Sequence, residues 1–264
     1  MTGADGSGAR AGANCSLQPM DLTERGDSGV RHPWEVQRLE AYRRILADHG
    51  ALDARRVLDV GAGDGWFSDR LTEHLPIDAE VVCWDVNYDD NDLEPSNPRL
   101  VRTREQPSAG YDLVLLLDVL EHIEDPVTFF ESVLGPLTSP GTPVLVAVPA
   151  HQRLFGAHDE ALGHFRRYGR RELLGQLDPW IDTVEDGSLF TTLLLPRAVS
   201  VAVERIRRRP ATIDEHGVGR WNGGPLLTAT VSRALAADAC LGRAVRRAGV
   251  RLPGLSHWVF GIVR

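Results

Sequence analysis

Apolar and polar positions fall in blocks along the chain, and the period changes from block to block. HPWEVQRLEAYRRILADHG (32–50) places Val36, Leu39, Tyr42, Ile45 and Leu46 on one helical face, and Gly50 stands where a helix end commonly turns left-handed. Short apolar runs then recur: RVLDV (56–60), EVVCWDV (80–86), RLVRT (99–103), one inside YDLVLLLDVL (111–120), and TPVLVAVP (142–149). Helical patterns separate several of them, over 66–75 and in PVTFFESVLGPL (126–137). Runs of Val and Leu without polar alternation, spaced by helices, predict a parallel sheet covered on both faces. After residue 149 the pattern changes. PAHQRLFGAHDEALGHFRRYGRREL (149–173) has apolar residues too few and scattered for a strand, and ends in a helix over about 170–177. DTVEDGSLF (182–190) reads as a sixth strand, 190–250 as mostly helical, and HWVFGIVR (257–264) as a last strand. Residues 1–28, rich in Gly, Ser, Ala and Asp, read as a disordered tail.

Composition narrows the class. With 264 residues and 42% hydrophobic content the chain can bury a sizeable core, and 29–264 reads as a single domain. Its net charge of -8 argues against general nucleic-acid binding, as does the lack of an (N/D)PPY-type motif after the fourth strand. The charge is uneven: residues 151–264 hold 17 Arg against 11 acids, and the first 150 hold 12 against 26. Every basic residue is Arg, a rigid five-donor fork suited to carboxylates and phosphates. Cys15, Cys83 and Cys240 have neither disulfide nor metal spacing, and no structural metal is expected. The chain starts without the apolar run of a secretory leader and has no window apolar enough to span a membrane, which predicts a cytoplasmic protein.

Candidate chemistry begins at VLDVGAGDGWF (57–67). Gly61, Gly63 and Gly65 let the chain turn tightly after a strand and expose main-chain N–H groups at the next helix start. A dinucleotide fingerprint would need another glycine at 66, where Trp66 stands. Asp59 suits a ligand ammonium, Asp85 at the end of the second strand suits two ribose hydroxyls, and Asp118 ends the fourth strand on the same edge.

DVGAGDG, VVCWDV and YDLVLLLDVLEHIEDP together resemble the class I S-adenosylmethionine-dependent methyltransferases, strongly over about 55–150. The resemblance implies a Rossmann-like α/β fold: a seven-stranded, mostly parallel sheet with helices on both faces, an antiparallel last strand and a helical insertion between strands six and seven. It implies S-adenosyl-L-methionine as cofactor, held by Asp59, Gly61, Gly63, Gly65, Trp66, Asp85, Val86, Asp118, Val119 and His122, with RHPWE (31–35) packing over it. Glu121 and His122 would orient the loop after the fourth strand. Residues 29–150 would then be the cofactor-binding core, 151–180 a lid-like segment, and 190–250 a substrate-specific insertion.

Only an acceptor with a proton to lose needs a base, and a pKa near working pH favours His. The candidates are His151, His158 and His164, with Asp159 able to orient His151 or His164 if the segment folds back. Arg166, Arg167 and Tyr168 are candidates for holding an anionic substrate, whereas Arg170 and Arg171 read as surface groups. The acceptor expected is a small molecule, anionic and partly apolar, such as a prenyl phosphate or a natural-product intermediate. LFTTLLLPRAVSVAVERIRRRP (189–210) is read as an insertion helix, with an acceptor wall or a membrane-surface helix as sharper alternatives. Two other functions compete: a nicotinamide-dependent oxidoreductase, and a non-catalytic cofactor-binding partner subunit.

Overall fold

In the computed structural model, which describes residues 31–94, 96–207, 221 and 223–264, the seven anticipated strands join one sheet. They are β1 (Arg56–Val60), β2 (Glu80–Trp84), β3 (Leu100–Thr103), β4 (Leu113–Leu117), β5 (Pro143–Pro149), β6 (Ile181–Leu189) and β7 (Ser256–Val263). Their order is β3-β2-β1-β4-β5-β7-β6, parallel through β5, with β7 antiparallel to both β5 and β6. Chain order reverses between β1 and β4, so their carboxyl ends open a crevice there, the position at which such sheets bind ligands. The expected tail at 1–28 lies outside the described residues.

Side chains alternate across the sheet, so one strand feeds two cores. Val57 and Leu113 pack on the face covered by α1 (Pro33–Asp48) with its buried Tyr42 and Leu46. Leu58 and Val114 pack on the opposite face with Phe129, Phe130, Leu173 and Leu177. Cys83 is a buried core residue, as its apolar run implied.

Local chemistry explains most helix limits. At the start of α1, His32 Nδ1 accepts from Trp34 N at 3.0 Å while Glu35 accepts from His32 N at 3.2 Å, with Pro33 in the first turn. After the helix, Gly50 is left-handed at φ 69°. Val36, expected on the apolar face, is 38% exposed, and the buried residues of the helix are Pro33, Ala41, Tyr42, Ile45 and Leu46. Helix α2 (Trp66–Thr72) is shorter than expected: Pro76 disfavours helix at the residue before it, and Arg99 Nη1 donates to the freed Thr72 carbonyl at 2.6 Å. The helix expected over 126–137 starts as α3 (Pro126–Phe129), widens over Phe130–Leu134, and ends in a tighter turn over Gly135–Leu137. Pro136, which has no N–H to give, stands where regular bonding stops.

Beyond the sheet edge come α4 (Ala157–Ala161), α5 (Arg170–Leu177), α6 (Leu194–Arg207) and α7 (Pro225–Arg247). The last two occupy the connection between β6 and β7.

Candidate active site at the carboxyl edge of the sheet

The loop between β1 and α2 is shaped by three left-handed glycines, Gly61, Gly63 and Gly65, at φ 65°, 57° and 71°. A side chain at Gly63 would meet nothing within 4 Å, so its backbone faces open space. At Gly65 a Cβ would come 2.9 Å from the Arg102 guanidinium, which donates to Asp64 O at 2.7 Å. Asp85, buried just past β2, accepts from Gly63 N at 2.9 Å and from Asn87 N at 3.0 Å. These bonds tie the loop to the second strand's end and still leave lone pairs on the carboxylate. Burial raises the Asp85 pKa. Asp59 is buried at the base of the loop and accepts from Ser68 Oγ at 2.7 Å. Burial pushes its pKa up to about 7 against that hydrogen bond. Trp66 opens α2 with Arg31 stacked 5.0 Å above its ring. Val86 is 40% exposed beside Asp85.

Asp118 follows β4 with φ 57°, a conformation uncommon outside glycine. Its carboxylate pairs with Arg38 of α1, whose guanidinium lies 4.2 Å from the Trp34 ring centre. Val119 is buried behind it. The next turn buries Glu121 completely, and neither of its carboxylate oxygens has a hydrogen-bond partner among the described residues. Burial, reinforced by Asp118, raises the Glu121 pKa well above the usual range. Burial and the neighbouring His164 together lower His122 to about 3. Glu121, His122 and His164 offer ligand atoms within 4.8 Å of one another, a donor set with the size and chemistry for a divalent cation.

The segment after β5 folds back over this edge. Phe165 N donates to Glu121 O at 2.7 Å, and Tyr168 OH donates to Leu120 O at 3.0 Å. Asp159 is its hub, fully buried on α4. One of its oxygens accepts from Arg167 Nε at 2.7 Å and lies 3.1 Å from His164 Nδ1; the other accepts from Arg197 Nη2 of α6 at 2.6 Å and Gly156 N at 2.9 Å. Burial opposes ionisation of Asp159, but its His164 and Arg167 partners outweigh it and hold the carboxyl below the usual range.

A cavity of about 480 Å³ joins these parts. Asp118, Glu121, Arg38 and Trp34 line it toward the strand ends, His158, His164 and Arg167 line it along the folded-back segment, and Leu162, Leu193, Leu255 and Arg197 are among its other walls. His158 has its pKa lowered by burial and by Arg197.

Of the residues singled out from sequence, Asp118, Glu121, His158, His164 and Arg167 line this cavity, and Asp159 stands directly behind two of them, His164 and Arg167. His151 does not: with φ 65° it turns its ring toward His257 of β7, 5.3 Å away. Tyr168 is fully buried with its hydroxyl on Leu120 O, and Arg166 donates to Glu124 O at 2.7 Å, so neither is in the lining. Arg170, read from sequence as a surface group, pairs with Asp186. Arg38 and Arg197 were not singled out. Arg38 carried one weak signal, its place one helical turn after Trp34, and Arg197 lay within the 189–210 run for which an acceptor wall was one reading.

A family model described as a methyltransferase domain matches residues 34–179. An uncharacterized methyltransferase of Mycobacterium tuberculosis is 35% identical over 115 residues, covering 41% of this chain and 57% of that protein. The ubiquinone biosynthesis O-methyltransferase of Maricaulis maris is 31% identical over 113 residues, covering 37% and 44%. The chain thus spans about half the length of the curated relatives it matches. Among solved structures, the [4+2]-cyclase SpnF superposes with a TM-score of 0.51 at 15% identity, over 91% of this chain and 84% of that one. At that identity the likeness is one of fold alone.

Proposed function

The chain belongs to the class I S-adenosylmethionine-dependent methyltransferases, and from that premise we propose that it methylates a small molecule held in the 480 Å³ cavity. Membership decides between the two cofactors that the glycine loop left open, and the cofactor is S-adenosyl-L-methionine. The residues fit it: an open glycine backbone at Gly63, a strand-end carboxylate at Asp85 for the ribose hydroxyls, and acids at Asp59 and Asp118 for the ammonium. Arg38 beside Asp118 sets a cation next to an anion, the complement of an amino-acid zwitterion.

The cofactor supplies an activated sulfonium methyl. What remains for the protein is to hold the acceptor in line and keep water out, which can contribute about 7–11 kcal/mol. Trp34, Leu162, Leu193 and Leu255 offer apolar walls for an acceptor body. For an anionic head the cavity offers the guanidinium of Arg197, which lines it, rather than Arg166 or Tyr168. His164 is the base of this reading. Asp159 receives its Nδ1 proton and so leaves Nε2 to take a proton from a hydroxyl acceptor.

The observation that carries the reading is the His164–Asp159 pair on the cavity that Asp118 opens at the strand ends. The test is calorimetry with S-adenosylhomocysteine, followed by an acceptor library read by mass spectrometry. Binding and transfer are expected, with His164→Ala lowering turnover about 100-fold while S-adenosylhomocysteine still binds normally. Binding without transfer to any acceptor would favour the partner-subunit reading instead.

A further inference from the structure

Helix α6 turns its polar side to the protein and its apolar side outward. Facing inward, Arg197 reaches Asp159 and Leu154 O, Val201 is buried, and Glu204 accepts from Ala157 N at 3.2 Å and Ser200 Oγ at 3.0 Å. Facing outward, Leu195 is 73% exposed, Val199 54% and Ile206 81%, with Val203 beside them. At 100° per residue these positions and the exposed Ala202 share one arc of the helix, which is wide enough for an interfacial apolar face and contains no acid. A soluble helix ordinarily buries that face. The basic residues lie at its C-terminal end: Arg205 and Arg207 are exposed, and Arg205 donates to Arg153 O at 2.9 Å, adding the exposed Arg153. Glu204, the acid of this helix, is engaged on the inner side.

The same element bounds the cavity. Arg197 on α6 and Leu193 just before it line the cavity. With 14 residues α6 is too short to span a bilayer, and no helix among the described residues is long and apolar enough to do so.

We propose that α6 docks the protein on an anionic phospholipid surface, with Leu195, Val199, Val203 and Ile206 in the acyl boundary and Arg153, Arg205 and Arg207 on the headgroups. Charge selects this occupant: an acid-free apolar ridge ending in arginines matches a negatively charged interface. Docking does not depend on methyl transfer. If the methyl-transfer reading also holds, the helix that meets the membrane is a wall of the acceptor cavity, and the acceptor class becomes a membrane-resident amphiphile with an apolar tail.

The experiment is sedimentation of the full chain with phosphatidylcholine vesicles, with and without phosphatidylglycerol, beside light scattering of the lipid-free protein. Vesicles containing phosphatidylglycerol are expected to bind about tenfold more tightly than neutral ones and to lose the protein as salt rises. Leu195→Glu with Ile206→Glu should abolish sedimentation while thermal midpoint and S-adenosylhomocysteine affinity stay unchanged. Arg205→Gln with Arg207→Gln should remove the preference for anionic lipid. No sedimentation with either vesicle overturns the proposal, as does sedimentation unaffected by the glutamates. So does a lipid-free dimer that the glutamates dissociate, since a second copy would then cover the ridge, and so does strong hydrogen-exchange protection of the outer face of α6 in a lipid-free monomer, since the chain would then cover itself. Loss of cofactor binding in the wild type would leave the vesicle result standing and refute only the methyl-transfer reading.

Discussion

Asp159 shows how one buried carboxylate organises a site. It accepts from two arginines, a histidine and a backbone amide, and those partners come from the residue before α4, from α6 and from the segment between α4 and α5. Asp159→Asn removes the charge that offsets Arg167, which is itself 5% exposed. A destabilisation of about 3 kcal/mol is expected, measured as a shift in urea midpoint. Asp85→Ala is expected to weaken S-adenosylhomocysteine by about 10–100-fold, the worth of charge-assisted bonds to two hydroxyls. An unchanged affinity in calorimetry would remove the ribose role of the second strand's end. Asp59 adds a pH signature. With its pKa at about 7 it is half protonated near neutrality, and a bound ammonium favours the ionised form. Binding should therefore release a proton near pH 6.5 and weaken as pH falls further. Calorimetry in buffers of different ionisation enthalpy reads this directly, and the absence of proton exchange would separate Asp59 from the ligand. The strand-end acids could be placed from sequence because a strand followed by glycines specifies where the chain leaves the sheet. The orphaned Glu121 carboxylate could not, since its burial depends on a segment more than forty residues later folding over it.

At the scale of elements, β7 is the piece most constrained by shape. It lies between β5 and β6, and Gly261 sits where a Cβ would approach Ile181 Cγ2 at 2.3 Å and Asp182 O at 2.8 Å. Because backbone lies on that side, Gly261→Ala must push β6 away. A loss of about 2 kcal/mol is expected, read in a denaturant titration, and a neutral result would mean that β6 yields freely. Nearly every element could be read from periodicity, since strands and helices bury one face or both in regular steps. The departures have local causes: Pro76 and Arg99 end α2 early, and Gly135–Pro136 spoil regular helix after Leu134. Helix α6 differs, because its strong two-faced pattern is plain in sequence while the face turned inward is the polar one.

Across the whole molecule, buried titratable groups oppose one another. His122 and His257 are lowered to about 3 and 4, both chiefly by burial. In the unfolded chain they bind protons below about pH 6.5, so they cost stability as pH falls below that value. Asp59 is raised instead, and its contribution is full below the unfolded carboxylate value and is lost as pH rises through about 7. Between these limits the acid offsets the histidines. Asp59→Asn removes the offset, and stability should then fall more steeply with acid between pH 6.5 and 5, by about 1 kcal/mol per pH unit. Parallel wild-type and variant slopes in denaturant titrations would show that Asp59 is not buried as an acid.

By itself the sequence determined the order of elements and the seven strands, the single sheet being what the family resemblance implied, and it proposed the strand-end edge for the cofactor. These rest on patterns a few residues long: apolar runs, a glycine loop, and acids at strand ends. Tertiary structure decided which histidines and arginines share the cavity, drawing in His164 and Arg197, turning His151 toward β7, and engaging Arg167 on Asp159. Arg197 and Asp159 stand 38 positions apart, and no periodicity links them. The orientation of α6 was decided in the same way, because a hydrophobic stripe says that a helix has two faces, and only its packing partners choose which one is buried.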